Sequence, residues 1–174
     1  MEALAAAERS GATAGAPGAL VFVGFMGAGK SSAARAAAAA LGVEALDSDR
    51  EVERELGEPI ESLFDREGEA AFRAREEEVV LGLLARPGAR VVALGGGTLA
   101  SDRVREELAS HTVVHLEVDS ADAWRRASGK GRPLARDRER FEDLHLERRA
   151  LYAAAADAVL PPASASACAA RSPP

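Results

Sequence analysis

Eight residues near the start of the chain, from Gly24 to Ser31, have the types and spacing of a phosphate-binding loop. They match the pattern G-x-x-x-x-G-K-[ST] in full. The glycines let backbone amides approach phosphate oxygens, Lys30 can reach the β- and γ-phosphates, and the Ser31 hydroxyl can bind Mg²⁺. The residues expected to line a bound nucleoside triphosphate are Gly27, Ala28, Gly29, Lys30, Ser31 and Ser32.

The sequence on either side of this loop supplies the elements that must position it. Apolar residues 19–23 predict a buried strand before the loop, and the alanine-rich residues 30–41 predict a helix after it. The N-terminus of that helix would face the phosphates. A plain glycine-rich turn is the alternative. Because the strand, the Lys-Ser pair and the helix all accompany the pattern, the sequence predicts a nucleotide site.

Carboxylates that could hold a metal follow the second apolar run, residues 43–46. Asp47 and Asp49 come directly after it, whereas the run 90–94 ends in Gly95–Gly97 and not in an aspartate. The chain also lacks the Asn-Lys-x-Asp signature that reads guanine. This arrangement favours a small-molecule kinase over a GTPase or a motor. The alternatives are structural: Asp47 as a turn residue after the strand, and Asp49 as the N-cap of a following helix.

Apolar runs alternate with helical patterns along the chain. The predicted strands are 19–23, 43–46, 90–94, 112–118 and 157–160. The predicted helices include 30–41, 50–56, 68–86, 101–109 and 138–155. Strands separated by helices form parallel βαβ units, so we predict an α/β fold with a central parallel sheet of about five strands. The predicted divisions are a disordered tail at 1–18, one domain at 19–160, and a low-complexity tail at 161–174.

Composition and charge exclude several classes of protein. The chain has 174 residues, enough for one domain, and its 28 acidic and 22 basic residues give a net charge of −6. Nucleic-acid binders usually present a basic face, and no stretch of about 18 apolar residues is free of charge. The N-terminus lacks the basic start of a signal peptide, and a single cysteine, Cys168, cannot form an internal disulfide. We predict a cytoplasmic, monomeric protein without nucleic-acid or membrane partners.

Six motifs, in order across residues 20–160, make the chain resemble the shikimate kinases. They are the loop Gly24–Ser31, the segment 46–49, the segment 72–77, the triplet Gly95–Gly97, Arg132-Pro133-Leu134, and the segment 148–152. The resemblance implies a three-layer P-loop kinase fold like that of nucleoside monophosphate kinases, with ATP and Mg²⁺ as cofactors. The implied reaction is phosphorylation of the 3-hydroxyl of shikimate, in the synthesis of chorismate and aromatic amino acids.

The same resemblance implies roles for residues outside the loop. Asp47 would hold the hydration shell of Mg²⁺, and Asp49 would accept hydrogen bonds from the ring hydroxyls of the substrate. Arg73 and Arg148 would clamp its carboxylate, because a guanidinium fork matches two carboxylate oxygens. The amides of Gly95, Gly96 and Gly97 would face the substrate. The alternative for Arg73 is a place on a solvated helix face, and the alternative for the glycines is a flexible turn. Glu76 lies three residues after Arg73 on the same helix face and could orient it for the substrate.

Residues 128–140 have the composition of a mobile lid. In similar kinases the arginine at the position of Arg132 reaches the transferring phosphoryl group when the lid closes, which stabilises charge and excludes water. Arg126, near the start of the lid, is the family's candidate for stacking on adenine. His111 and His115 have no Cys or His partner at metal-ligand spacing, so we expect core or edge histidines.

Two other functions stay open. One is a kinase for another polyol or sugar acid, such as gluconate; the other is a degenerate, non-catalytic P-loop domain within a larger assembly. In the family pattern a final helix follows the last strand, whereas this sequence continues with Pro, Ala and Ser and stops at Pro174. We therefore expect a domain without that helix, or the front part of a longer fused chain, with weaker ATP binding.

Overall fold

A parallel sheet of five strands forms the centre of the molecule, as seen in a computed structural model that describes residues 18–129 and 132–162. The spatial order of the strands is β2-β3-β1-β4-β5. Every neighbouring pair is parallel. The strands are β1 Leu20–Val23, β2 Glu44–Asp47, β3 Arg90–Ala93, β4 Thr112–Leu116 and β5 Ala158–Leu160.

Six helices connect and cover the strands of the described part of the chain. They are α1 Lys30–Leu41, α2 Ser48–Leu56, α3 Ile60–Ala85, α4 Asp102–Leu108, α5 Ser120–Ala127 and α6 Arg138–Ala155. Two single 3₁₀ turns, Thr98–Ala100 and Pro133–Ala135, lie after β3 and before α6. Each parallel connection passes through helical structure, as parallel strands require.

Apolar side chains on both faces of the sheet hold the three layers together. Val21 and Val23 face a large core built with α3, α4, α5 and α6, whereas Phe22, between them, faces a smaller core under α1. Successive side chains of a strand point to opposite faces, which explains this division. Ala34 and Ala38 form the contact face of α1, so this helix lies close to the sheet. The central strands are covered on both faces, so β1 is apolar throughout and β3 and β4 are mostly apolar.

The α/β fold with a five-stranded parallel sheet, predicted from the sequence, is confirmed. The bounds differ in detail: the long helix begins at Ile60 and not at residue 68, with a break in helical geometry at Gly68. The helix at Ser120–Ala127 was not among those predicted by name. The domain divisions stay predictions, and the tail residues 1–17 and 163–174 lie outside the described residues, as do 130–131 of the predicted lid.

One structural interpretation of the sequence is wrong. Asp49 was considered as the N-cap of α2, but the cap is Asp47, whose carboxylate accepts a hydrogen bond from the Arg50 amide at 3.4 Å. The helix starts at Ser48, directly after β2, with no intervening loop. Asp49 therefore lies in the first turn of the helix, and its carboxylate is free of a capping role.

The carboxyl ends of three neighbouring strands meet at one edge of the sheet. The P-loop follows β1, Asp47 ends β2, and Gly95–Gly97 follows β3. The register pairs Asp47 and Phe22 with the same residue, Ala93. In open α/β sheets this edge is where ligands bind. Among residues 18–129 and 132–162, no helix is long and apolar enough to cross a membrane.

Candidate active site

The P-loop wraps from β1 to the first turn of α1. Gly27 and Gly29 have positive φ angles of 84° and 93°, which glycine adopts without the steric cost of a Cβ. Gly29 is the N-cap of α1, and its carbonyl accepts from the Ser32 amide at 3.1 Å. The first amides of α1 and the positive end of its dipole therefore point out of the sheet edge, where an anion is stabilised.

Lys30 is folded back over the loop. Its ammonium donates to the carbonyl oxygens of Gly24 at 2.8 Å and Phe25 at 3.0 Å. Burial lowers the pKa of Lys30 to about 8, although the nearby Asp49 carboxylate opposes the shift. Burial likewise raises the pKa of Asp49 to about 6, against the opposing charge of Lys30. These two groups thus form a charged pair that an anionic ligand would perturb.

A cavity of about 280 Å³ lies over the P-loop. Most of the residues predicted to bind nucleotide and metal line it, but Ala28 does not. The Ala28 amide donates to the Phe25 carbonyl at 3.2 Å, and its methyl group packs in the core. The predicted site residues that line this cavity are Gly27, Gly29, Lys30, Ser31, Ser32, Asp47, Asp49, Gly96 and Arg132.

Arg126 reaches the P-loop from α5. Its guanidinium donates to the Gly27 carbonyl at 3.1 Å, and Asp122 lies 3.8 Å from it on the same helix. Roughly half of the side chain is exposed. The structure therefore brings Arg126 to the P-loop at the rim of the nucleotide cavity, although the residue does not line that cavity.

The donor set of this cavity fits a magnesium ion. Ser31 and Asp47, the two residues predicted to hold the metal, both line it and offer a hydroxyl and a carboxylate oxygen. Within the described ranges, no group of three or more His, Cys, Asp or Glu side chains could hold a metal by itself. Mg²⁺ does not need such a cage, because it is commonly bound by one or two protein ligands together with phosphates and water.

A second, larger cavity of about 410 Å³ opens between α3, α6 and the glycine triplet. Both polar groups and apolar side chains line it, as expected for a site that binds a small polar molecule with a carbon ring. Its polar residues include Asp49, Arg73, Gly96, Gly97, Arg132 and Arg148. Its apolar residues include Met26, Ile60, Phe64, Phe72 and Leu134.

Arg73 is held rigidly at this cavity by its own helix. Its guanidinium contacts the carboxylates of Glu76 at 2.5 Å and Glu69 at 3.2 Å, and it lies 4.9 Å from the centre of the Phe72 ring. Its side chain is 23% exposed, compared with 63% for Arg75 two residues on. Arg73 therefore does not lie on the solvated face of α3. Glu76 is buried and orients it, as the spacing of three residues predicted.

The glycine triplet is fixed from both sides. The Gly95 amide donates to the hydroxyl of the buried Ser48 at 2.8 Å, so it does not face the second cavity. The Gly96 carbonyl accepts from Arg148 at 3.0 Å and from the Tyr152 hydroxyl. Gly97 lies so close to the Arg73 guanidinium that a methyl group there would overlap it. The triplet is therefore an ordered turn, and Gly96 and Gly97 are the members that line the cavity.

The two cavities meet. Asp49, Gly96 and Arg132 line both of them, so a phosphate held by the P-loop would lie beside a molecule in the second cavity. Asp49 adds a carboxylate of raised pKa at this junction, and Arg132 adds a cation. Positioning and charge neutralisation are the main requirements of phosphoryl transfer. The geometry is that of a kinase acting on a small molecule.

Comparison with known proteins agrees with this geometry. The sequence profile of the shikimate kinase family matches residues 26–171. The chain is 46% identical over 136 residues to a shikimate kinase of Thermobifida fusca, covering 76% of this chain and 78% of the relative. It is 45% identical over 143 residues to one of Salinispora tropica, covering 80% of this chain and 85% of the relative. The chain belongs to the shikimate kinase family.

Solved structures of shikimate kinases have the same fold. The structure from Acinetobacter baumannii, in complex with shikimate, superposes with a TM-score of 0.78 at 36% identity and covers 83% of each chain. The structure from Aquifex aeolicus has a TM-score of 0.72 at 29% identity, covering 82% of this chain and 86% of that chain.

Two residues of this shikimate kinase site were not singled out from the sequence. Ser48 lies between the candidate residues Asp47 and Asp49, and its hydroxyl accepts a hydrogen bond from the Gly95 amide. Tyr152 follows Arg148 by four residues, which places the two on one face of α6. That spacing is the signal that could have found Tyr152. The partners of both side chains lie far away in the sequence, in the glycine triplet.

Proposed function

We propose that this chain transfers the γ-phosphoryl group of ATP to the 3-hydroxyl of shikimate, giving 3-phosphoshikimate and ADP. The observation that carries the proposal is that the P-loop cavity meets the second cavity at Asp49, Gly96 and Arg132. Membership of the shikimate kinase family supports both substrates. The reaction belongs to the synthesis of chorismate and the aromatic amino acids.

The carboxylate of shikimate binds to Arg73 and Arg148 in this proposal. Each guanidinium offers parallel N–H donors that match two carboxylate oxygens. Glu76 and Glu69 hold Arg73 in place before the substrate arrives, so little ordering entropy is lost on binding. The backbone of Gly96 and Gly97 forms the adjoining wall of the cavity. Gly95 does not line the cavity, and its hydrogen bond to Ser48 anchors the turn.

Asp49 aligns the hydroxyl that attacks and accepts its proton. The carboxylate lines both cavities, so it can face the hydroxyl on one side and the phosphate on the other. Burial raises the pKa of Asp49 to about 6, which makes it a stronger base than an exposed aspartate while it stays ionised near neutral pH. A general base works best when its pKa is close to the operating pH.

Lys30 and Arg132 neutralise the charge of the phosphoryl group as it moves. Lys30 exchanges its two carbonyl contacts for phosphate oxygens, and the first amides of α1 complete the cradle. Ser31 and Asp47 would hold Mg²⁺, which when bound supplies positive charge to the β- and γ-phosphates. Arg126, at the rim, provides a planar face for the adenine ring.

We further propose that the chain acts as a monomer in the cytoplasm, where ATP is available, with residues 128–140 as its lid. Size-exclusion chromatography with light scattering tests the oligomeric state. A mass corresponding to two or more chains would contradict the proposed monomer.

A coupled assay of ADP release tests the function directly. The purified chain is given ATP, Mg²⁺ and one hydroxy acid at a time: shikimate, gluconate or quinate. We expect ADP release with shikimate, a phosphorus NMR signal from a 3-phosphate ester, and loss of turnover on chelation of Mg²⁺. Preference for gluconate would indicate the other kinase, and ATP binding without turnover on any acid would indicate a degenerate domain.

Matched lysine variants test the substrate site. Arg73→Lys and Arg148→Lys keep the charge but lose the planar fork, so we expect shikimate affinity to fall about tenfold or more. ATP affinity without shikimate should stay within about twofold. The controls are Arg75→Lys and Arg149→Lys, exposed neighbours on the same two helices. Equal weakening of both ligands would indicate a general structural defect.

A further inference from the structure

Tyr152 is a buried polar residue that the mechanism above leaves without a role. It is the single tyrosine of the chain and lies on α6, four residues after Arg148. Its side chain is 2% exposed, and its ring packs against that of His115 with 5.2 Å between the ring centres. The ring is therefore fixed on its apolar side, and its hydroxyl has a defined direction.

The hydroxyl of Tyr152 points at the turn that forms the wall of the second cavity. It donates a hydrogen bond to the Gly96 carbonyl, which also accepts from Arg148 at 3.0 Å. Because a trans peptide is planar, the carbonyl of Gly96 and the amide of Gly97 point in opposite directions. Holding the carbonyl toward α6 thus turns the Gly97 amide away from α6, and the Arg73 guanidinium lies close to the Gly97 backbone.

The Gly97 amide donates no hydrogen bond to another part of the protein within residues 18–129 and 132–162. Gly97 lines the second cavity beside Arg73. An N–H donor next to a guanidinium is an arrangement that favours a carboxylate.

We propose that Tyr152 is a positioning residue for the substrate carboxylate: it fixes the Gly96–Gly97 peptide so that the Gly97 amide faces that carboxylate beside Arg73. The inference rests on the proposed function, since it takes shikimate as the occupant of the second cavity. Tyr152 touches no substrate atom and acts through the glycine turn.

Tyr152 gives the Gly96 carbonyl a second donor that does not depend on Arg148. If Arg148 moves toward a carboxylate and its bond to the Gly96 carbonyl lengthens, Tyr152 still holds the peptide. Burial raises the pKa of Tyr152 to about 12, with the nearby Arg148 opposing the shift. The hydroxyl therefore keeps its proton, and remains a donor, throughout the range in which enzymes work.

The substitution Tyr152→Phe removes one oxygen atom and keeps the ring. We expect the KM and Kd for shikimate to rise about five- to tenfold, as for the loss of one hydrogen bond that orients a binding group. The kcat should stay within about threefold, and the Kd for ATP should not change. The control is Leu151→Ala, a half-buried neighbour on α6 that packs against the core. It should lower the melting temperature without changing the KM for shikimate.

Two further readouts separate positioning from a merely structural role. An analogue with a hydroxymethyl group in place of the carboxylate should bind the wild type and Tyr152→Phe equally, because the affected donor meets only the carboxylate. Tyrosine labelled with ¹³C at the ring carbon that bears the hydroxyl gives one NMR signal from this chain. That signal should shift on addition of shikimate and stay in place with ATP alone.

The outcomes distinguish this inference from the function on which it rests. Normal wild-type turnover of shikimate with an unchanged KM in Tyr152→Phe overturns the inference and leaves the function standing. An equal loss of affinity for shikimate and its hydroxymethyl analogue also overturns it, because the effect would then be general. Failure of the wild type to phosphorylate shikimate overturns both.

Discussion

Lys30 and Asp49 set the electrostatics of the site at the scale of single residues. Burial moves their pKa values toward each other, to about 8 for Lys30 and about 6 for Asp49. Each group also favours the charged form of its neighbour, but desolvation is the larger effect for both. The active ionisation state, with an ammonium and a carboxylate, is therefore confined to a window between these two values.

We predict a bell-shaped pH profile for kcat/KM, which reports the free enzyme. Below pH about 6 Asp49 gains a proton and cannot accept one from the hydroxyl; above about 8 Lys30 loses the charge that meets the phosphates. Activity should fall about tenfold for each pH unit beyond either limb. Melting temperatures measured over the same range separate titration from unfolding. A flat profile from pH 5 to about 9 would contradict both assignments.

The absence of a Cβ atom at Gly97 leaves room for the guanidinium of Arg73. Its φ angle of −109° is accessible to any residue, so backbone conformation does not require glycine there. What requires glycine is the approach of the Arg73 guanidinium, which a Cβ would overlap. The end of an arginine side chain moves more easily than the backbone does, so an added methyl group should displace Arg73.

We predict that Gly97→Ala raises the KM for shikimate about tenfold or more while the melting temperature changes little. The reason is that Arg73 loses its bidentate geometry without any loss of core packing. In the double variant with Arg73→Lys, the two effects should not add, because both remove the same interaction. Additive losses would show that Gly97 acts on something other than Arg73.

Helix α3 carries Arg73, and a residue of the sheet secures its end. Arg90, the first residue of β3, donates to the carbonyl oxygens of Leu83 at 3.0 Å, of Leu84, and of Gly88 at 2.7 Å. The last carbonyls of a helix have no partners within the helix, and a cation there also interacts well with the helix dipole. Arg90 is 6% exposed, so water cannot replace these contacts.

We predict that Arg90→Met destabilises the fold by about 2–4 kcal/mol, since buried carbonyls lose their donors. This corresponds to a fall in melting temperature of roughly 5–15 °C for a domain of this size. The KM values for ATP and shikimate at 25 °C should stay within about twofold. Arg75→Met, at an exposed position on α3, serves as the control. An unchanged melting temperature for Arg90→Met would show that these contacts add no net stability.

At the scale of the whole molecule, residues 132–136 contact both the cavities and the long helix α3. Arg132 lines both cavities, and Leu134 adds to the apolar wall of the second. Four residues after Arg132, Arg136 pairs with Asp65 at 2.9 Å and with Glu61 at 2.8 Å on the first part of α3. The segment thus connects the nucleotide side of the molecule with the helix that carries Arg73.

We predict that Arg132→Ala lowers kcat and kcat/KM together, by about a hundredfold or more. A group that meets the phosphoryl charge mainly in the transition state has this signature. The Kd for ATP should change little. Arg138→Ala, an exposed arginine at the start of α6, is the matched control and should retain full activity. A raised KM for ATP at normal kcat would instead show that Arg132 only helps to hold the nucleotide.

Local patterns in the sequence determined much of this protein. The P-loop, the alternation of strands and helices, and the approximate bounds of most elements follow from residue spacing within short segments. Errors arose where neighbouring elements join without a loop: α2 starts directly after β2, so Asp47 and not Asp49 is its cap. Helix 60–67 was missed because Gly68 interrupts the pattern that predicted the rest of α3.

Only the tertiary structure decided how distant residues support the site. Ser48 and Gly95 are 47 residues apart, and Tyr152 and Gly96 are 56 apart, so no local pattern relates them. The pKa shifts of Lys30 and Asp49 likewise depend on burial, which depends on the packing of several elements. The spacing of residues in a short segment determines whether that segment forms a helix or a strand. Desolvation and long-range contacts arise only when segments from different parts of the chain pack together.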